Sequence, residues 1–169
     1  PYINCGHNQD RQSREDEPMS LNIIVTPVDG TSIGMGIACA CGEPALYVCA
    51  HGPQLNTLRT HLGALAHHFD TTQLSVHSSW SRPTDGGLRF LHYYLLGRPW
   101  TRRVVIDAPW TWTPRALFSL KRTIEPYSTD CVVMLTALPP GAHQHARVWS
   151  IEGDTLTIIP KPIDTRSTE

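Results

Sequence analysis

The chain has 169 residues, is 40% hydrophobic and 17% charged, and carries a formal net charge of −1 with a pI near 6.9. That balance suits one globular domain with a real core, and it excludes both wholesale disorder and a bulk positive field that would recruit nucleic acid or an acidic membrane surface. No apolar run approaches the ~18–20 residues that cross a bilayer as a helix, so no membrane partner is expected.

Residues 1–18, "PYINCGHNQDRQSREDEP", are polar and lack either hydrophobic period, which predicts a disordered tail ahead of a single domain over 19–169. Met19 stands where a natural start would fit, and Cys5 and His7 are read as tail residues rather than a ligand pair. The segment has no apolar stretch of the secretory kind, and the five cysteines are odd in number and unevenly spread. The expectation is a cytoplasmic protein with reduced thiols.

"LNIIVTPV" (21–28) predicts a first strand. "IGMGIACAC" (33–41) and "ALYVCA" (45–50) predict two more, joined as an early β-hairpin through Gly42-Glu43-Pro44. Leu55, Leu58, Leu62, Leu65 and Phe69 recur at helical spacing behind Pro53. "TQLSVHSS" (72–79) alternates as a strand, and Leu88, Leu91 and Leu95 mark a helix that Thr84 or Asp85 can cap and Gly97 can stop. "RRVVIDAP" (102–109) and "CVVMLTAL" (131–138) are continuous apolar runs, the pattern of strands buried on both faces. Between them, Thr113-Pro114 opens a helix whose inner face is Leu117, Leu120 and Ile124. The last stretch, "HARVWSIEGDTLTIIP", reads as a C-terminal β-hairpin. Helices between strands demand crossovers, so the fold class expected is α/β: three layers, a mainly parallel sheet, helices on both faces.

The cysteine-rich segment 38–52 raises a metal question. Cys39, Cys41, Cys49 and His51 supply the ligand types that zinc prefers. If 37–41 and 47–51 pair across the turn, all four share a face, yet same-face neighbours along a strand are about 6.5–7 Å apart. Zinc, a disulfide and buried packing cysteines all remain open at this point.

The order of elements over 45–160 resembles the RecA-like branch of P-loop NTPases. In that resemblance "ALYVCAHGPQLNTL" is the strand and phosphate loop, with His51, Gly52, Asn56 and Thr57 as its cofactor-binding positions. "RRVVIDAP" resembles the acidic Walker B strand, ending in Asp107, "CVVMLTAL" the sensor strand, and the last hairpin the strands that complete the sheet. The family's G-x-x-x-x-G-K-[ST] is absent from "HGPQLNTL", which has no lysine and no second glycine. The resemblance therefore implies a catalytically degenerate domain, regulatory or assembly partner of a nucleic-acid-related machine, with ATP and magnesium as its cofactors if it keeps any.

An enzymatic alternative uses Asp107 with Trp110, because "IDAPW" resembles the D-P-P-W motif of amino-group methyltransferases, with Ala108 at the second position. Arg98, Arg102 and Arg103 around Trp100 form a combination able to meet phosphate and stack on a base. The loops after parallel strands are 50–57, 78–87, 107–113 and 137–145. They supply His51, Asn56, Thr57, Ser79, Asp85, Asp107, His143 and His145. Asp107 is the strongest of these, since a carboxylate ending a buried strand is costly unless it has a task.

Overall fold

A computed structural model describes residues 21–26, 30–40, 42–49, 60–77, 85–107, 112–152 and 155–160. Seven strands form one sheet in the order β3-β2-β4-β5-β1-β6-β7. They are β1 (Leu21–Val25), β2 (Ala45–Cys49), β3 (Leu74–His77), β4 (Arg103–Asp107), β5 (Asp130–Leu135), β6 (Arg147–Glu152) and β7 (Thr155–Ile159). Every neighbouring pair is parallel except β6 and β7, which close the sheet as an antiparallel hairpin. The chain is an α/β protein with a mostly parallel sheet.

Three helices are α1 (Thr31–Cys39), α2 (Asp85–Gly97) and α3 (Pro114–Ile124), and residues 60–65 are also helical. They divide between the two faces because strand side chains alternate. Leu21, Ile23, Leu46, Val48, Val104, Ile106, Cys131 and Val133 point to the face that α2 and α3 cover with Leu88, Leu91, Leu95, Leu117, Leu120 and Ile124. Ile24, Tyr47, Cys49, Val105, Val132 and Met134 point to the other, under Met35 and Ala38 of α1, with Leu62 and Leu65 packed alongside. Both helical stripes of α2 and α3 face the core, as their spacing requires. Thr113 caps α3 by accepting from the Ala116 amide at 3.1 Å, with Pro114 in the first turn.

The early β-hairpin is corrected. Residues 31–39 form a helix, and its buried residues Thr31, Gly34, Met35, Ala38 and Cys39 follow helical spacing. Local composition opposes this, since two glycines and two isoleucines in nine residues are poor helix formers. Packing overrides it. A Cβ on Gly34 would lie 3.2 Å from the Tyr47 ring and 3.3 Å from Met134 and Val105, so the missing side chain lets α1 sit directly on the sheet. The strand 45–49 is second from the sheet margin, beside β4. The predicted tail 1–18 lies outside the described residues.

Candidate functional site

The helix α1 runs antiparallel to β4, and two side-chain bonds hold its ends. At the carboxyl end of the strands, Thr31 Oγ1 donates to Asp107 Oδ2 at 3.0 Å. At the amino end, Arg103 Nη1 donates to the Ile37 carbonyl at 2.8 Å, and Arg103 Nη2 lies 3.8 Å from Asp130. The first and last residues of β4 thus clamp opposite ends of one helix.

Asp107 ends β4 on the α1 face and is 8% exposed. Its cross-strand neighbours are Cys49 and Met134. Tyr47, two residues earlier on β2, reaches up the face, and its hydroxyl donates to the same Oδ2 that Thr31 meets. Charge-assisted bonds from two hydroxyls, together with the positive end of the α1 dipole, offset the cost of a carboxylate at this depth. Burial and the neighbouring carboxylate hold the Tyr47 phenol far above the ordinary tyrosine range, so it remains a donor. The Cys49 thiol is pushed up to about 11, first by burial and then by the Asp107 charge, which keeps it a neutral thiol rather than a nucleophile.

Gly30 precedes α1 in a tight place. A Cβ there would lie 3.0 Å from the end of the Met134 side chain and 3.1 Å from Thr26. The Thr26 amide bonds to the Leu135 carbonyl at 2.9 Å, joining the end of β1 to the end of β5. The described strand–loop–helix unit that meets Asp107 is therefore β1–α1. Thr31 was missed because 33–41 reads as a strand; the four-residue repeat Gly30, Gly34, Ala38 was the available signal for a closely packed helix face.

The cysteine set does not assemble as one site. Cys39 ends α1 at the amino edge of the sheet, whereas Cys49 pairs with Asp107 at the carboxyl edge. Four strand residues separate those edges, about 13 Å, against the roughly 4 Å between two thiolates on one zinc ion. Cys39, Cys49 and Cys131 are free and buried. Among the described residues no group of three histidine, cysteine or acidic side chains could hold a metal. Burial, then the charge of Asp130, also raises the Cys131 thiol.

Cys41, His51, Gly52, Asn56, Thr57, Ser79 and Trp110 lie outside the described residues, as does the side chain of Asp85. His143 and His145 stand in the loop after β5. Their segment packs through Ala142 and Ala146 into the α2–α3 face, and the His145 ring lies 5.6 Å from that of Phe118. Neither belongs to the Asp107 constellation, which occupies the opposite face.

At the amino edge, a cleft of about 140 Å³ is lined by Thr72, Gln73, Ser75, Tyr94, Arg98 and Trp100. The Arg98 guanidinium sits 4.7 Å from the Tyr94 ring centroid, and Trp100 is 58% exposed. Arg103 is not part of this group, being turned to Ile37 and Asp130.

No family model matches the chain, and no curated protein matches it.

Proposed function

We propose that the chain is a catalytically degenerate RecA-like domain that serves as a regulatory or assembly partner in a nucleic-acid-related system. One observation carries this reading: the carboxylate ending β4 is saturated on one oxygen by two protein hydroxyls, those of Tyr47 and Thr31. In an active phosphoryl-transfer site an acidic strand end is kept for magnesium. Here it anchors a helix. The parallel neighbours β4 and β5 and the closing hairpin β6–β7 support the element order of that branch. The phosphate-loop role then falls to β1–α1, where Gly30 is followed by Thr31 and Ser32 with no lysine. The chain has two lysines in all: Lys121 lies within α3, and Lys161 lies outside the described residues.

A nucleic-acid role draws support from the amino edge, where exposed Trp100 and Arg98 over Tyr94 combine a stacking ring with a cation. Placing zinc on Cys39 and Cys49 together has no such support.

Phosphate release from ATP with magnesium tests the reading. Wild type and Asp107→Asn are expected to give the buffer rate alike, with melting temperatures that magnesium-ATP leaves unchanged in both. Turnover in the wild type that Asp107→Asn abolishes would overturn the degenerate assignment.

A further inference from the structure

The sheet has two margins of different character. At one, β3 is four residues long, and its last residue, His77, stacks on Phe90 of α2 with ring centroids 3.9 Å apart. At the other, β7 is five residues of β-branched and aliphatic character, "TLTII", with no charge, proline or glycine. Natural edge strands are ordinarily blunted by a lysine, a proline, a bulge or a covering element, because their outer row of N–H and C=O groups templates a further strand. None of those devices occurs within Thr155–Ile159, and no described element lies beyond β7.

The side chains of β7 are matched to their own reverse. Leu156 and Ile158 lie on the α1 face, opposite Ile151 and Trp149 of β6, and are 46% and 50% exposed. An antiparallel copy centred on Thr157 places Leu156 against the partner's Ile158 and Ile158 against the partner's Leu156. The two Thr157 residues then meet on the axis. On the α1 face each exposed apolar side chain finds an apolar partner, a favourable cross-strand combination; on the other face Thr157 meets Thr157 and Thr155 faces Ile159. Shifting the register by one residue opposes side chains from different faces of the strand and loses the Leu156–Ile158 match. With a net charge of only −1 per chain, two copies meet without long-range repulsion. A closed two-fold contact of this kind needs only one self-complementary patch.

We propose that β7 is the pairing edge of a symmetric homodimer, in which two sheets join antiparallel through Thr157 into one fourteen-stranded sheet. The stripe of exposed Leu156 and Ile158 beside half-buried Trp149 and Ile151 becomes continuous across the axis. This inference is independent of the nucleotide reading, since it uses neither Asp107 nor α1.

Light scattering behind a sizing column reads the assembly, with a mass twice the 18.8 kDa of the chain expected. The doubles Leu156→Lys/Ile158→Lys and Leu156→Glu/Ile158→Glu set like charges opposite each other. Each alone should be monomeric with an unchanged circular dichroism spectrum, and mixing the two should restore the dimer mass. The register is read by cross-linking in a Cys5→Ser/Cys41→Ser background, with air oxygen and copper-phenanthroline accepting the electrons from the two thiols. Opposed strand residues sit about 4.5–5.5 Å apart at Cα, within disulfide reach. Thr157→Cys should therefore cross-link at least tenfold faster than Thr155→Cys. A monomeric wild type up to roughly 100 µM overturns the proposal. So does a dimer that the charge doubles leave intact, or equal cross-linking at the two positions.

Discussion

Tyr47 and Asp107 lie on adjacent parallel strands two registers apart, and the tyrosine hydroxyl closes that gap to donate to the carboxylate. Thr31 donates to the same oxygen from the first turn of α1. This three-residue junction ties β2, β4 and the helix together at the edge of the sheet where α/β proteins place their sites.

Removing the tyrosine hydroxyl leaves the carboxylate short of a donor. Tyr47→Phe should lower stability by about 1.5–3 kcal/mol, the usual worth of a hydrogen bond to a charged group. Asp107→Ala strands two buried hydroxyls and frees the start of α1, so a larger loss of about 3–5 kcal/mol is expected. Urea unfolding of the two variants measures both. An Asp107→Ala protein as stable as the wild type would show that the carboxylate is no anchor.

The same junction sets a response to alkali. Tyr47 and Cys49 both have folded-state pKa values above their unfolded ones, so the unfolded chain loses their protons first as pH rises. Their contribution is complete below pH 9.0, the ordinary thiol value, and falls toward about 11 as Cys49 titrates. The Tyr47 contribution begins to fall near its ordinary value of 10.0 and continues above it. The urea midpoint of the wild type should decline across this window, and that of Cys49→Ala should decline less between pH 9 and 11.

Two glycines of α1 should answer substitution with opposite signs. A methyl group added at Gly36 would meet nothing within 4 Å, so Gly36→Ala should stabilise by about 0.5–1 kcal/mol through helix propensity alone. Gly34 is pressed against Tyr47, Met134 and Val105, so Gly34→Leu should cost about 1–3 kcal/mol or more through overpacking. Thermal melts of the pair separate propensity from packing on one helix.

The buried thiols should resist alkylation. Iodoacetamide followed by peptide mass mapping should label Cys39, Cys49 and Cys131 only at the rate of unfolding, because each is buried and two have raised pKa values. Rapid labelling of Cys49 in the native protein would contradict the closed geometry at Asp107.

Much of the fold was legible in the sequence because the period of its hydrophobic residues is a direct consequence of element geometry. The continuous runs at 103–107 and 131–135 are strands covered on both faces, and they sit third and fourth in the seven-strand order. Leu117, Leu120 and Ile124 repeat at helical spacing and are fully buried on α3. Asp107 stood out for the same reason: a carboxylate at the end of an apolar run must be answered by something.

The failure at 31–39 has an equally physical origin. Nine residues rich in glycine and isoleucine carry weak and conflicting local preferences, so their conformation is decided by what they pack against. Arg103 and Asp107 hold the two ends of α1, and the floor under Gly34 is made of side chains from three different strands. None of these relationships is local. The misassigned helix carried the site error with it, since grouping Cys39 with Cys49 required a hairpin that does not exist.

What the amino-acid sequence determined by itself was the class of fold, the faces of the later helices and the one acidic residue worth following. Those properties depend on periodicity and on the cost of burying charge, both of which act within a single element. The tertiary structure alone decided the order of strands, the identity of the helix that meets Asp107 and the separation of the cysteines. Those depend on which elements meet across the sheet, and contacts such as Thr31 with Asp107 span 76 residues that no local pattern encodes.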